Sequence, residues 1–470
     1  MDKALRIALV GLPIVLVASL ILLGQSLPAY FSNQQFLLGL IFLQILVVCL
    51  WFYEQLFFPL LMIAFLWAGT DVPMSEPWTI GRWLVLGAGA LVGFVRTLGT
   101  SAQHYRAFHV VAAFCVASAV ASATVSEAPS LALLKAVSLF LLFLYGACGA
   151  RLVLRDPDRF FRGLLLACEL SVYASAFCYL VLSQEIWGNR NSLGAVEGVV
   201  AAPLLLWGAL VAGEKSLQLR RAVACLGALY LVYFSVTRAA MLGVTVAMLV
   251  VLVGVRKHKL IVKGLLGGVC VIAITAILAP SHLDEFNSSL VSGVIYKGQQ
   301  EQGLLGSRLT PWQETLRVIE NKPYFGSGFG TSISGGQPFG EIGRLASTAV
   351  LREHGSSYLA ITEWVGLLGI LPFAILLLLL IRAIVRVFRC LRRTGNLAHY
   401  SVPIMMVMIA GLVHAGFEDW MFAVGYYLTV LYWTLAFLLV DLVPEDTAYY
   451  PAPLHGMHYR YATSAPAPRQ

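Results

Sequence analysis

His354 is the residue of this chain best placed to transfer a proton. It follows Arg352 and Glu353 at the end of a long polar interval, about one helical turn before a new apolar run. An unperturbed imidazole has a pKa of about 6.5, so it can act as a general base towards a hydroxyl group near neutral pH. The alternative for this histidine, taken by itself, is a surface position at a membrane interface.

Three arginines are predicted on the same side of the protein as His354. Arg190 and Arg238 occupy tight turns between apolar runs, and Arg308 lies in the long polar interval. A guanidinium group is permanently charged, and its forked donors match the oxygens of a phosphate. The three residues therefore predict a shared anion site, although a single arginine of this kind can also be an interfacial anchor.

Arg308 stands just ahead of a predicted short helix. Thr310 is a suitable N-cap, Pro311 suits the first helical position, and Gln313 completes a capping box. We expect this helix to end near residues 321–323. The positive end of its dipole would then lie beside Arg308, which favours a phosphate ligand.

A second polar cluster lies in the short turn between the last two apolar runs. Glu418 and Asp419 follow His414 there, and His414 and Glu418 are four residues apart, on one helical face. These carboxylates could orient an imidazole or bind an acceptor, and a solvated polar turn is the alternative. We assign both to substrate binding, together with Arg352 and Tyr358 on either side of His354.

Two other motifs suggest chemistry but fit a structural role better. The glycine-rich run 326–330 has neither the preceding strand nor the lysine of a phosphate-binding loop, so we interpret it as a tight turn. Asp156 and Asp158 form a D-x-D pattern, as in metal-dependent sugar transferases. Their arginine-rich loop is predicted on the opposite face, which favours a polar turn. We expect neither a metal site nor a cofactor.

Glu169 lies in the middle of an apolar run. A carboxylate there costs on the order of 2.5–3.5 kcal/mol on insertion scales. It marks either a conducting pathway or a buried hydrogen bond within a helix bundle, and we favour the bundle. The eight cysteines lie in or beside apolar runs without a C-x-x-C pair, which is typical of small buried hydrophobic residues.

The positions of these groups depend on the membrane-spanning elements that composition predicts. Of the 470 residues, 59% are hydrophobic and 12% are charged, against roughly 25% charged in a soluble domain. The net charge of +8 is concentrated in short loops, where it sets membrane orientation and does not indicate a nucleic-acid partner. We therefore predict an all-α polytopic membrane protein.

An apolar stretch of about 20 residues crosses a bilayer as a helix. Several of the fourteen stretches found are short, so we expect 12–14 transmembrane helices, the first of which could mimic a signal peptide. The stretches are 5–23, 36–53, 56–70, 80–95, 107–124, 131–152, 160–182, 193–212, 220–237, 239–254, 260–279, 357–380, 399–415 and 420–440.

Loops rich in Lys and Arg alternate with loops that are poor in them, although two of these carry the single arginines Arg190 and Arg238. This alternation places both termini in the cytoplasm and the long polar loop on the outer, periplasmic face. We divide the chain into transmembrane helices (1–279), a partly helical periplasmic loop or cap carrying catalytic residues (280–356), further transmembrane helices (357–440) and a disordered cytoplasmic tail (441–470).

The motifs between residues 190 and 420 resemble those of the bacterial O-antigen ligase and O-antigen polymerase superfamily. They are Arg308-Leu309-x-x-Trp312, Pro323-Tyr324-Phe325-Gly326-x-Gly328-x-Gly330, His354 followed by Tyr358-Leu359, Glu363, and Gly366-Leu367-x-Gly369. The family pattern His-Asn-x-Tyr-Leu is one residue longer here and lacks the asparagine.

The resemblance implies a GT-C-like membrane glycosyltransferase. Such a ligase takes a glycan from undecaprenyl pyrophosphate and joins it to a hydroxyl of the lipid A–core oligosaccharide. It works among membrane lipids, at the periplasmic face of the bacterial inner membrane, without a nucleotide sugar or a metal. On this hypothesis His354 activates the acceptor, while Arg190, Arg238 and Arg308 stabilise the pyrophosphate. In-line attack would invert the anomeric configuration.

Three alternatives stay open. A polymerase of the same superfamily would use the same donor but a second lipid-linked repeat unit as its acceptor. A third relative transfers glycans to protein hydroxyls. A secondary transporter or flippase would show internal repeats, broken spans and charge near the midplane. We find no clear repeat, and the candidate charges lie at the outer face.

Overall fold

The computed structural model describes residues 34–70, 75–98, 105–256, 306–331 and 353–444. Across these ranges every regular element is a helix, which confirms an all-α membrane protein. Within the described ranges, six helices are long and apolar enough to cross a membrane by length and composition. The predicted spans 5–23 and 260–279 lie outside the described residues, and each of the others overlaps a helix.

The first seven helices run from the start of the described chain to the first predicted arginine turn. They are α1 Gln34–Phe52, α2 Phe57–Gly69, α3 Ser75–Leu98, α4 Ala107–Ala123, α5 Pro129–Leu144, α6 Pro157–Leu180 and α7 Arg190–Ala195. Helix α6 begins where the sequence predicts a polar turn, because Asp156 caps it by accepting the Arg159 N–H at 3.0 Å. The D-x-D pattern is thus a helix start.

Seven further helices follow. They are α8 Ala202–Val211, α9 Lys215–Phe234, α10 Arg238–Gly254, α11 Gly306–Asn321, α12 Ser357–Thr394, α13 Ser401–Ala415 and α14 Tyr427–Leu442. A π-helical segment, Val196–Ala201, joins α7 to α8 as one continuous span. Helix α14 is apolar all round and almost entirely buried, as expected for the centre of a bundle.

Helix α12 is broken at Gly366, whose backbone has φ 71° and ψ 178°. The glycine-rich turn fills the break. Ser327 N–H donates to the Glu363 carbonyl at 2.9 Å, and Leu367 N–H donates to the Pro323 carbonyl at 2.7 Å. The run is therefore a turn, as predicted, and its backbone satisfies groups that the broken helix cannot satisfy itself.

Only glycine fits at the closest contacts between this turn and α12. A Cβ on Gly366 would lie 2.4 Å from the Tyr324 carbonyl oxygen, and a Cβ on Gly326 would lie 2.4 Å from the Glu363 carbonyl oxygen. Both glycines also have positive φ, which other residues rarely adopt. The break therefore holds Glu363 at a fixed place next to the turn.

The predicted start of α11 is wrong. The helix begins at Gly306, four residues before the predicted Thr310 cap, so Thr310 and Pro311 lie inside it. Arg308 and Leu309 are good helix formers, and a proline this early removes only the hydrogen bond to the Ser307 carbonyl. Arg308 consequently lies in the first turn of α11 and not ahead of it.

Candidate functional site

The site lies where α10, α11 and α12 begin and where the segment between α13 and α14 crosses them. Ser357, the first residue of α12, ties these parts together. Its N–H and its hydroxyl donate to the Glu418 carbonyl at 3.0 and 2.6 Å, and its Oγ accepts the Met421 N–H at 3.0 Å. The segments 353–358 and 418–421 are therefore in direct contact.

The His354 side chain is enclosed between two carboxylates. Asp419 Oδ2 lies 3.0 Å from both the backbone nitrogen and Nδ1 of His354. On the other side of the ring, Nε2 lies 3.4 Å from Glu363 Oε1. The residue is only 1% exposed, and the Trp364 ring packs against the imidazole edge with centroids 5.4 Å apart. The imidazole is thus held in one orientation.

These carboxylates change the acid–base behaviour of His354. Burial by itself would lower the pKa of His354, but the hydrogen bonds and negative charges of Asp419 and Glu363 outweigh it and raise that pKa. Burial would likewise raise the pKa of Asp419, and its hydrogen bonds with His354 lower it instead. Both directions favour an imidazolium beside a carboxylate, so the proton is shared within one coupled group.

Arg308 makes two carboxylate contacts at the edge of this group. Its Nη1 donates to Glu353 Oε1 at 2.9 Å, and its Nη2 donates to Glu418 Oε1. The Arg308 side chain is 12% exposed. Trp312 fixes α11 to the histidine loop, because its Nε1 donates to the Gly355 carbonyl at 3.0 Å. Two acidic side chains therefore orient the guanidinium fork, and the Trp312–Gly355 hydrogen bond holds α11 against the histidine loop.

Arg238 is the first residue of α10 and lies near Arg308. The two guanidinium groups are close enough for their positive charges to repel each other. Like charges in a partly buried place are unfavourable unless anions compensate them. The acidic side chains around Arg308 supply part of that compensation, and an anionic ligand would supply more.

Arg190 contacts this region through its backbone. Its carbonyl accepts a hydrogen bond from Thr237 Oγ1 at 3.4 Å, next to Arg238 in the chain. Its guanidinium points elsewhere, to Glu185 Oε1 at 3.2 Å, and the side chain is 60% exposed. The structure thus places Arg190 near the site without turning its charge towards Arg308.

A tyrosine links the Arg190 turn to the acidic cluster. The Tyr426 hydroxyl donates to the Tyr427 hydroxyl at 3.2 Å, and Tyr426 lies close enough to Ser192 and Glu418 for both to influence its pKa, which burial raises. Ser192 itself is held by Asn189, whose Oδ1 accepts the Ser192 N–H at 2.7 Å. The start of α7 therefore borders the same region as Arg308, which fits the predicted common face.

Two other predicted residues have packing roles in the structure. The Tyr358 hydroxyl donates to the Leu412 carbonyl at 2.7 Å, which joins α12 to α13. His414 accepts the Trp420 Nε1–H at 2.7 Å and is buried, so it does not pair with Glu418 as the helical spacing allowed. Arg352 lies outside the described residues.

Glu363 is the site residue that the sequence analysis did not assign, although it is part of the family motif. It is 1% exposed, yet its carboxylate reaches the histidine ring. A carboxylate in an apolar run is costly unless it is paired, and Glu363 is such a carboxylate. The sequence argument given for Glu169 therefore applies equally to Glu363.

The geometry suits an anionic ligand and a proton transfer. Arg308 and Arg238 offer cationic donors, and His354 with its two carboxylates offers a proton-exchanging group next to them. Among the residues that the structure describes, no group of three or more His, Cys, Asp or Glu side chains is arranged to hold a metal ion.

Residues 223–374 match the family model described as O-antigen ligase. The matched segment is about a third of the chain, and it carries Arg238, Arg308, His354 and Glu363. This confirms the family resemblance that the motifs indicated. No curated protein matches the chain.

Proposed function

We propose that this chain, which carries an O-antigen ligase domain, transfers a glycan from undecaprenyl pyrophosphate to a hydroxyl of the lipid A–core oligosaccharide. The family match supports a membrane glycosyltransferase of the ligase or polymerase type. The observation that carries the proposal is the position of the Arg308 fork, which lies beside the His354–Asp419 pair and borders Arg238. Cations next to a proton acceptor are what this reaction requires.

The leaving group is a diphosphate, whose negative charge grows as the glycosidic bond breaks. Prepositioned cations stabilise such a charge most effectively in a place shielded from water. Carboxylate and phosphate oxygens make equivalent contacts to a guanidinium fork. The Glu353 and Glu418 oxygens on Arg308 therefore mark where diphosphate oxygens would bind. Glu353 is exposed and can move away when the donor arrives.

Arg238 would bind the same diphosphate from the α10 side, which would relieve its repulsion with Arg308. Arg190 would join them by exchanging Glu185 for the donor. Its long side chain is exposed, and its backbone is already fixed beside Thr237, so only the side chain has to turn. Three guanidinium groups would then surround one leaving group.

The acceptor hydroxyl attacks C1 of the donor sugar, and a new C1–O bond forms. The bond from C1 to the diphosphate breaks, and the leaving group takes the electron pair. Asp419 orients the ring through Nδ1, and the acceptor hydroxyl would replace Glu363 at Nε2 and pass its proton to that nitrogen. The negative charges of Asp419 and the nearby Glu363 would then stabilise the imidazolium that forms.

The two ends of the bundle differ in charge, which supports a periplasmic site. Helix α12 starts at the site and ends far from it in a run of five arginines: Arg382, Arg386, Arg389, Arg392 and Arg393. Such clusters stay on the cytoplasmic side of a membrane. The end of α12 that carries His354 would then face the periplasm of the inner membrane.

The test is a transfer assay with purified full-length protein in lipid nanodiscs. A lipid-diphosphate glycan, extracted from membranes of cells that make this protein, is the donor. One arm adds lipid A–core, and the other adds only further donor. Transfer to lipid A–core supports a ligase, whereas chain lengthening of the donor would replace that function with a polymerase. Absence of transfer in both arms, with folded protein, would contradict the proposal.

A further inference from the structure

A polar cavity lies at the other end of the helices that carry the candidate site. Its volume is about 270 Å³, and the residues that carry the argument are Asp158, Arg162, Trp207, Arg221, His399 and Tyr400. They come from the start of α6, the end of α8, the start of α9 and the loop between α12 and α13. This cavity includes the second aspartate of the D-x-D pattern, which the proposed function leaves unused.

The cavity is separate from the His354 site. Helix α13 begins next to the cavity at Ser401 and ends at Ala415, close to Glu418, so its 15 residues span about 22 Å between the two places. Helix α12 likewise runs from the histidine loop to the cavity loop. A ligand in one place therefore does not touch the other.

Arg221 is the buried cation of this cavity. Its side chain is 10% exposed, and its Nη1 donates to the Gly208 carbonyl at 3.0 Å. Its Nε has no hydrogen-bond partner among the described residues, since Glu169 Oε1 lies 3.7 Å away. Glu169 is held more closely by Arg220, whose Nε is 2.9 Å from Oε2. This Nε is enclosed by protein and lies nearest Glu169, so what Arg221 offers a ligand in the cavity is the positive charge of its guanidinium group.

Arg162 adds an exposed cation at the rim. Its Nε donates to the Asp158 carbonyl at 3.2 Å. The Asp158 carboxylate accepts a hydrogen bond from the Tyr400 hydroxyl and keeps its negative charge, which offsets part of the positive charge of the cavity. The two arginines are thus the groups of this cavity that suit a negatively charged ligand.

Aromatic rings form the apolar wall. Phe161 and Tyr400 stack with centroids 4.7 Å apart and planes 11° apart. Trp207 packs against both rings and donates its Nε1–H to the Leu397 carbonyl at 2.8 Å. Cations beside an aromatic wall at one end of a membrane bundle suit a molecule with an anionic head and an apolar body.

We propose that this cavity binds the phosphate diester of an anionic glycerophospholipid. The phosphate would lie beside the positively charged guanidinium groups of Arg221 and Arg162, which line the cavity, and the glycerol would lie on Phe161 and Tyr400. Basic pockets between transmembrane helices on the cytoplasmic side recognise such headgroups. The α12 arginines predict that same side for this cavity.

The experiment measures lipid binding to purified full-length protein by native mass spectrometry and by the shift in melting temperature. Phosphatidylglycerol, phosphatidylcholine and inorganic phosphate are added in separate arms. We expect one retained phosphatidylglycerol and a raised Tm, with weaker effects from phosphatidylcholine and inorganic phosphate. Equal stabilisation by inorganic phosphate would make the ligand a soluble anion, and equal retention of phosphatidylcholine would remove the charge argument. Either result overturns the proposal.

Substitutions in and near the cavity test whether phosphatidylglycerol binds there. Arg162→Gln should weaken phosphatidylglycerol binding about fivefold, the loss expected for one lipid-facing charge, and this exposed side chain is not needed for folding. Arg221→Gln should weaken it at least as much where the protein folds. Arg389→Gln is the matched control, an exposed arginine at the same end that does not line the cavity. Unchanged binding in Arg162→Gln, or an equal loss in Arg389→Gln, would contradict the assignment.

Discussion

Asp419 Oδ2 accepts two hydrogen bonds from His354, one from the backbone N–H and one from Nδ1, each at 3.0 Å. The two residues are 65 positions apart in the chain, so this single oxygen fixes both the backbone and the ring of His354. Glu363 closes the other side of the ring at Nε2. The proposed base is thus set in place by two carboxylates from different parts of the fold.

The first prediction concerns the pH dependence of glycan transfer. Since the pKa of His354 is raised, the imidazolium persists to higher pH than in a free histidine. A base must be neutral before it accepts a proton, so the transfer rate should rise with pH through a midpoint above about 6.5. Initial rates between pH 5 and pH 9 at saturating donor measure this midpoint.

Asp419→Asn provides the check on that assignment. Removing the carboxylate removes part of what raises the pKa of His354, so the midpoint should fall below that of the parent protein, and the maximal rate should drop at least tenfold. A midpoint that is the same in both proteins would show that another group controls the profile.

Arg308→Lys tests the guanidinium fork. Lysine keeps the positive charge but cannot make two parallel contacts, so kcat/KM should fall about tenfold or more, and Arg308→Gln should lower it further. Arg317→Gln is the matched control, because Arg317 is an exposed arginine of the same helix α11. Equal activity of the Arg308→Lys protein and its parent would reduce Arg308 to a structural anchor.

Glu363→Gln tests a residue argued to act through His354. The amide keeps the shape of the side chain but loses the charge that helps to raise the pKa of His354. The midpoint of the pH profile should therefore shift down while the melting temperature changes little. Glu320→Gln, an exposed change on α11, should leave the profile as it is. A purely structural Glu363 would change Tm without moving the midpoint.

The break in α12 gives a prediction about stability. Gly366→Ala places a Cβ 2.4 Å from the Tyr324 carbonyl oxygen at φ 71°, so the free energy of unfolding should fall by about 2 kcal/mol or more. Gly87→Ala in α3 is the control, since no atom lies within 4 Å of its added Cβ, and alanine favours a helix. Denaturant unfolding in detergent compares the two variants, and equal effects would contradict this role of the break.

The sequence predicts the all-α membrane fold and puts the candidate polar residues at the ends of its helices. Charged groups at the ends of apolar runs must lie at a membrane surface, and loop parity assigns them to one face. The same argument predicts that His354, Arg308 and Asp419 share one side of the protein. In the structure they meet at the start of α12, with Glu418 between Arg308 and Asp419.

The remaining features depend on tertiary contacts that local patterns do not encode. Glu363 reaches the histidine because α12 is broken at Gly366 and held by a turn from residues 323–331. The capping pattern at Thr310 predicts a later start for α11 than the helix propensity of the residues before Thr310. The observed start at Gly306 follows the propensity. The sequence does not predict the Arg190–Glu185 ion pair, because the anion-site argument considers the arginines and not the acidic residues near them.

The most direct test of the proposed site is a structure of the full-length protein in nanodiscs with undecaprenyl diphosphate bound. We expect diphosphate oxygens within about 3 Å of guanidinium nitrogens of both Arg308 and Arg238. Glu353 should then be displaced, and His354 should remain on Asp419. A diphosphate bound elsewhere, with Arg308 still holding Glu353 and Glu418, would contradict the account.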